Sequence, residues 1–452
     1  MILNIVIGLL GLGIVVFFHE AGHLLAAKAT GIEVEAFSIG WGRKIFGFTH
    51  AGTEYRLSLF PIGGYCKMKG EDSMREAWAN KAESFPHDEG SFMSARPWQR
   101  IIVLFSGPLV NVLFAIVVFA VVWGIGFSYE TFENRIVLVD DYETVLSPLP
   151  ARDAGLKTGD RIVAIDGEPT PHFRDIQRTI AQSADVRIVL TIERDGSVMD
   201  LPVVPTLDRG TGAGQLGIFP WIVPVVAAVR ESSAADIAGF QPGDAIIAVD
   251  GEPVSHSIEF SAALDEAGQT VAIEVTRNRS PRVLTTVPGT SEDGRTELGV
   301  TFETVSVRTP RLGVFSALGR GAAETWETLA LITRSIALLF GGVDVTQAVA
   351  GPIRITYFIG EVTTQGATQG IGVGITAFFN FLSLISVTLF LMNLLPIPAL
   401  DGGQIVLSMI EMIKRSPLRP RFVYRYQFVG TMMILFLIVF ALFNDVLFLV
   451  NR

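Results

Sequence analysis

His19-Glu20-Ala21-Gly22-His23 sets two imidazoles four residues apart, with a carboxylate directly after the first. On a helix, residues i and i+4 share a face, so both rings can reach one divalent ion. Glu20, on the adjoining face, can reach a water beside it. Those residue types imply hydrolysis, with two nitrogen ligands, a general base and zinc as Lewis acid. Catalytic zinc takes three protein ligands and keeps a position open, so one more donor is needed. Asp401 is the candidate, at the end of Asn393-Leu394-Leu395-Pro396-Ile397-Pro398-Ala399-Leu400-Asp401-Gly402-Gly403. No other charged side chain interrupts the approach to it from Gly366 to Leu400. Asn393 can either donate its amide to a scissile carbonyl or oxyanion, or bond a neighbouring helix.

These residues need elements that hold them at one depth, and the hydropathy pattern supplies them. Four segments are long and apolar enough to cross a bilayer: Ile2 to Phe18 running on into Ala29, Ile101 to Phe127, Ala377 to Leu395, and Tyr426 to Asn444. The histidine motif lies at the end of the first and Asp401 follows the third. Ionisable groups at membrane depth are costly, which favours a functional reading. Pro396 and Pro398 break the third helix, tolerable at that depth only where freed backbone groups line a cavity. A cleaved signal is the competing reading of the N-terminus, with Leu25 to Ala29 as a loose cleavage site. The first eighteen residues carry no Lys or Arg, which argues against it.

The 452 residues are 49% hydrophobic and 18% charged, which makes a soluble cytosolic enzyme a poor fit. Residues Tyr129 to Arg308 hold 28 Asp and Glu against 15 Lys and Arg, and the remainder 17 against 20. An acidic insert between basic flanks argues against nucleic-acid binding. A single cysteine, Cys66, excludes an intrachain disulfide and a thiolate metal cage. Lys and Arg crowd two connections. Lys28, Arg43, Lys44, Arg56, Lys67, Lys69, Arg75, Lys81 and Arg96 lie in the first, and Lys414, Arg415, Arg419, Arg421 and Arg425 in the last. The positive-inside rule puts both in the cytoplasm, with the insert and both termini outside.

The histidine motif taken with Asn393-x-x-Pro396-x-Pro398-x-x-Asp401-Gly402 resembles the site-2 protease family of intramembrane zinc metalloproteases. Carried across, His19, His23 and Asp401 would be zinc ligands and Glu20 the catalytic base. Gly107-Pro108-Leu109-Val110-Asn111 in the second span looks like a further family element packed near the site. The sequence departs from the pattern in having Thr388, not a second asparagine, ahead of Asn393. The resemblance implies a bacterial inner-membrane enzyme acting on single-span membrane proteins, namely a trimmed anti-sigma factor and signal-peptide remnants. It also implies a membrane re-entrant β-loop over Gly40 to Leu59. On pattern alone, Gly52 to Met68 reads as an alternating strand ending in Gly63-Gly64, whose edge could pair with an unwound substrate. An ordinary cytoplasmic hairpin fits the same pattern.

Ala154-Gly155-Leu156-Lys157-Thr158-Gly159-Asp160 recurs as Ala238-Gly239-Phe240-Gln241-Pro242-Gly243-Asp244, an offset of 84 residues that continues to Pro169 and Pro253. The repeats resemble tandem PDZ domains, which bind extended peptides or C-termini by strand addition. A peptide sensor and a steric size filter both fit that placement. The expected fold is therefore a polytopic α-helical membrane protein of four transmembrane helices, with a membrane-associated β-loop and an inserted tandem of β-rich PDZ domains. Its divisions are 1–30, the first span; 31–97, the cytoplasmic and re-entrant β region; 98–127, the second span; 128–220 and 221–308, the PDZ pair. They continue with 309–375, an amphipathic segment on the membrane surface; 376–403, the third span with its Asp-Gly motif; 404–425, a cytoplasmic loop; and 426–450, the fourth span. The alternative function is a membrane-anchored PDZ adaptor with a structural or vestigial metal site. Glu20 separates the two, because a structural zinc site is closed by four ligands and has no use for a base.

Overall fold

The computed structural model describes residues 2–71, 80, 82, 85, 87–142, 149–209, 211–290, 296–339 and 351–450. Arg75 and Lys81 of the first basic connection, and 340–350 of the expected surface segment, lie outside the described residues. The chain divides into two units, Met1–Phe127 with Thr309–Arg452, and Ser128–Arg308.

The first unit is built on four helices long and apolar enough to cross a membrane: Ile2–Ala29, Pro97–Ile125, Ile371–Leu394 and Pro420–Val450. The shortest has 24 residues. At about 1.5 Å per residue it exceeds the ~30 Å hydrocarbon core. Lipid offers these helices no hydrophobic drive to associate, so small residues that let backbones approach decide where they cross. At Gly22 an added methyl would fall 2.5 Å from the Ser106 carbonyl oxygen, and Ser106 Oγ donates to the Gly22 carbonyl at 2.9 Å. The first and second spans therefore touch backbone to backbone beside His23.

The region after the first span is a long hairpin, Val34–His50 and Thr53–Met68, that folds back on itself. Ser38 pairs with both Arg56 and Tyr65, and Phe48 pairs with Tyr55. Four short antiparallel segments result, in the order 44–50, 53–58, 34–39, 64–68. The strand does not end at Gly63-Gly64 but continues through them to Met68, and this last piece is an edge. Trp41, Ile45, Phe46, Phe48, Leu59 and Phe60 are more than half exposed near the hairpin tips.

The described residues of 309–375 form two helices, Val314–Leu339 and Pro352–Gln369, each packed on one of the long apolar helices. Val314–Leu339 packs lengthwise on the second span, with Gly321 against the Ile116 carbonyl and Leu329 and Ile332 against Ala115 and Phe119. Pro352–Gln369 packs on the first span, with Thr356 against Gly8 and Gly360 against Asn4. Arg320 pairs with Glu324 and lies over the Trp123 ring, which lets a charged helix lie against an apolar one. Residues 404–425 are not simply a loop, since Asp401–Lys414 is helical. Leu407, Ser408 and Glu411 face inward there while Met409, Ile410, Met412 and Ile413 are exposed.

The second unit holds two similarly built halves. Each has a four-stranded antiparallel sheet. The first runs Glu168–Pro169, Arg161–Ile165, Ile188–Arg194, Ser197–Val203, and the second runs Glu252–Pro253, Ala245–Val249, Val271–Arg277, Ser280–Thr286. Helices Phe173–Gln182 and Ser257–Glu266 bury Ile176, Ile180, Phe260 and Leu264 into separate cores. The repeated Gly-Asp ends in the same ion pair each time: Asp160 with Arg194 and Asp244 with Arg277. Each arginine also donates to a main-chain carbonyl, of Gly155 and Gly239. The halves meet at His256, which is 1% exposed and packs against Trp221 with ring centroids 4.5 Å apart and the planes tilted by 59°. His256 Nδ1 accepts the Glu259 amide hydrogen at 3.2 Å, so Nε2 carries the ring's hydrogen and donates to Tyr142 Oη at 3.2 Å.

Burial raises the Asp244 carboxyl, but the hydrogen bonds from Arg277 and the Gln241 amide, with the charges of Arg277 and Arg282, together outweigh it and hold the pKa below its ordinary value. Its contribution to stability is therefore complete above about pH 4 and lost as pH falls through the folded value. Arg277→Met leaves a buried charge unpaired, at a cost of about 3–5 kcal/mol. Amide exchange on the full chain should show that loss over Ala245–Val249 and Val271–Arg277. Burial also lowers the pKa of His256, with Glu259, Arg135, Asp141 and Tyr142 around it. Its contribution is full above about pH 6.5 and falls as the ring is forced to charge on acidification. Protection of Ser257–Glu266 should drop between pH 7 and pH 5 in the wild type and less in His256→Asn, which keeps the helix cap.

Candidate active site

The first span presents His19 and His23 on one face, with their Nε2 atoms 3.2 Å apart. Asp401 Oδ2 lies 3.4 Å from the first and 3.5 Å from the second. In a tetrahedral zinc site with bonds of about 2.0–2.1 Å, neighbouring ligand atoms are about 3.3–3.4 Å apart. The three atoms thus occupy one face of such a tetrahedron, and His19, His23 and Asp401 could hold a metal ion.

The outward nitrogens explain why the Nε2 atoms face inward. His23 Nδ1 donates to the Val103 carbonyl of the second span at 2.8 Å. His19 Nδ1 is 3.2 Å from the side-chain amide nitrogen of Asn111, while Asn111 Oδ1 is buried with no hydrogen-bond partner. Turning that amide end for end lets Oδ1 accept the His19 Nδ1 hydrogen, which leaves the Nε2 lone pair of His19 free for a metal ion. Both rings then aim a lone pair at the Asp401 carboxylate, an arrangement that is repulsive without a cation among the three. Asn111 is fully buried, and its own carbonyl accepts from Ser386 Oγ of the third span at 2.9 Å. Gly107 completes the cradle, since a methyl there would fall 2.2 Å from His23 Nε2.

Asp401 reaches this point because the third span stops at Leu394, and residues 395–400 turn the chain back into a new helix. Ala399 adopts a left-handed φ of 74° in that turn. A methyl on Gly402 or Gly403 would come within 2.3 Å of the Leu394 or Ile397 carbonyl oxygen. Glycines at 402 and 403 therefore let the new helix pack under its own loop. Gly430 of the fourth span, 1.9 Å by the same measure from the Pro398 carbonyl oxygen, presses on the outside.

A cavity of about 670 Å³ lies over these groups. His19, Glu20, His23, Asn393 and Asp401 all line it, with Tyr65, Cys66 and Met68 from the edge strand. Glu20 stands next to the metal-ligand candidates, with the Cys66 backbone amide against its carboxylate. Gly63 and Gly64 do not line the cavity. Gly64 backs onto Glu20, where a methyl would come 3.4 Å from Cγ, and Gly63 takes a left-handed φ of 81° against Trp41. Sequence reasoning missed the far wall, formed by Tyr424, Gln427, Phe428 and Thr431 of the fourth span. Its signal was two polar residues four apart in an apolar helix.

The chain belongs to peptidase family M50, whose model matches residues 7–437. Among its relatives, a protein of Treponema pallidum (strain Nichols) carrying the provisional name zinc metalloprotease is 39% identical over 448 residues, covering 99% of both chains. The regulator of sigma-E protease RseP of Escherichia coli (strain K12) is 30% identical over 467 residues, covering 97% of both, and protease RseP of Yersinia pestis is 32% identical over 465 residues, also covering 97% of both. The protein is a zinc metalloprotease of the site-2 type, and its four apolar helices fit a membrane enzyme.

Partners that orient metal-binding histidines typically contribute 10–100-fold in metal affinity. Asn111→Ala should therefore weaken zinc binding by about 10–100-fold, read by competition with a chromophoric chelator, while the protein stays folded by circular dichroism.

Proposed function

We propose that the protein is an intramembrane endopeptidase in which His19, His23 and Asp401 hold the catalytic zinc, Glu20 is the base and Asn393 contacts the scissile carbonyl. The observation that carries this reading is the triangle of donor atoms at tetrahedral spacing with a carboxylate beside it and an edge strand alongside. Bound zinc would polarise the peptide carbonyl and lower the pKa of water towards neutrality. Glu20 takes a proton from the attacking water as its oxygen adds to the carbonyl carbon. The C–N bond then breaks, and the proton passes from Glu20 to the departing nitrogen. The Asn393 amide donates to the carbonyl oxygen as negative charge develops there.

A helical substrate hides its carbonyls in i to i−4 hydrogen bonds and must unwind before it can react. The segment from Gly64 to Met68 has a strand partner on one side only, and on the other the Cys66 and Met68 amides meet the Glu20 and Glu71 carboxylates. The unwound stretch pairs along that side by strand addition, taking the Met68 amide from Glu71, with Gly63 and Gly64 shaping the turn into it. The exposed aromatic hairpin tips suit a place in lipid, as a re-entrant β-loop requires. The basic connections support a site near the cytoplasmic face of a bacterial inner membrane, and on this reading 128–220 and 221–308 are a PDZ tandem on the outer side that filters or binds incoming chains. Substrates are single-span membrane proteins, of which a trimmed anti-sigma factor and signal-peptide remnants are the expected examples.

Glu20→Gln in proteoliposomes should keep its zinc, by elemental analysis, and lose cleavage of a model single-span substrate by at least about 100-fold. Normal cutting by that variant would remove Glu20 from the base role. Asp401→Ala should lower zinc occupancy, and an unchanged zinc affinity would exclude Asp401 as a ligand.

A further inference from the structure

At the start of the second span, a cavity of about 510 Å³ opens between that helix and the end of the Asp401–Lys414 helix. Its lining brings Arg96, Arg100 and Arg415 together with a single carboxylate, Glu411. That carboxylate is already committed, pairing with Arg100 and accepting the Leu418 amide hydrogen at 2.9 Å. Arg100 Nε is buried and, among the described residues, has no hydrogen-bond partner. Arg96 and Arg415 are exposed at the rim, and neither forms an ion pair among the described residues. The positive end of the Pro97–Ile125 helix dipole lies at the same level, with no acidic residue in its first turn.

Two uncompensated guanidinium groups converging on one cavity call for an anion. The remaining lining says which kind. Phe85, Met93, Pro97, Met412 and Pro417 supply the apolar part of that lining. Met412 continues outward into the exposed Met409 and Ile413 of the same helix. Charge within and hydrocarbon alongside, at the end of a membrane-spanning helix, match a phosphodiester carrying acyl chains. A free phosphate would satisfy the arginines but leave the apolar lining unused. We propose that this cavity binds the headgroup phosphate of an anionic phospholipid. Its two walls are the helix whose Val103 carbonyl orients His23 and the helix that begins at Asp401. A single headgroup therefore bridges the two elements that bring the metal-binding groups together.

The test uses the full-length protein, wild type and R96Q/R415Q, extracted in detergent and titrated by native mass spectrometry with phosphatidylglycerol, phosphatidylcholine or inorganic phosphate. Wild type should bind phosphatidylglycerol about tenfold more tightly than phosphatidylcholine, and the double variant should lose that preference. Both substitutions are at exposed positions, and circular dichroism checks that the variant is folded. Equal binding of the two lipids by wild type overturns the proposal whatever the variant does. So does a preference that survives in the double variant, or displacement of phosphatidylglycerol by an equal concentration of inorganic phosphate or of a soluble polyglutamate peptide.

Discussion

The structure depends on one constraint. The three atoms that could hold a metal ion, on His19, His23 and Asp401, converge while the remaining nitrogens of both rings find partners inside the protein. Water cannot be relied on there, and an unsatisfied group costs several kcal/mol. The second span meets the requirement almost alone, by lending the Val103 carbonyl to one ring and the Asn111 side chain to the other. It can do so only because Gly22 and Gly107 let two helix backbones come close enough for those short reaches. Packing and chemistry are thus the same contact seen from two sides.

The second requirement is a carboxylate arriving from a separate helix at the right height. A continuous third span would carry Asp401 past the site at 1.5 Å per residue. The two prolines end the helix, the loop doubles back beneath glycines, and Asp401 enters the first turn of a new helix, where a negative charge is favoured by the dipole. The third and second spans are in turn joined by Ser386 on the Asn111 carbonyl. The ligand set therefore hangs on a closed circuit of three helices.

Much of this was legible in the residues. The spacing of His19 and His23 fixes their common face on any helix, and Asp401 stands out as the first carboxylate after a long uncharged stretch. Four apolar runs announce four long helices, and the 84-residue echo announces two like modules, down to the Asp160 and Asp244 ion pairs. What escaped is what depends on contacts rather than on period. Charges every few residues between 310 and 365 read as an amphipathic segment but do not reveal what Val314–Leu339 packs against. That packing is decided by Gly321, which admits a neighbouring backbone, and by Trp123, which takes up the Arg320 guanidinium. Likewise the alternating pattern of Gly52 to Met68 shows a strand but cannot show that the hairpin folds back, leaving 64–68 as its rim.

Under the proposed strand pairing, that rim has a consequence for selectivity. A strand edge recognises only what all polypeptides have in common, the repeating amide, and is nearly blind to side chains. An enzyme that grips its targets this way sorts them by how readily their helices come undone and by whether they can get in, not by a consensus around the cut. Discrimination then belongs to the targets' own conformational stability and to the architecture that controls admission, leaving the hydrolytic centre free to be indiscriminate.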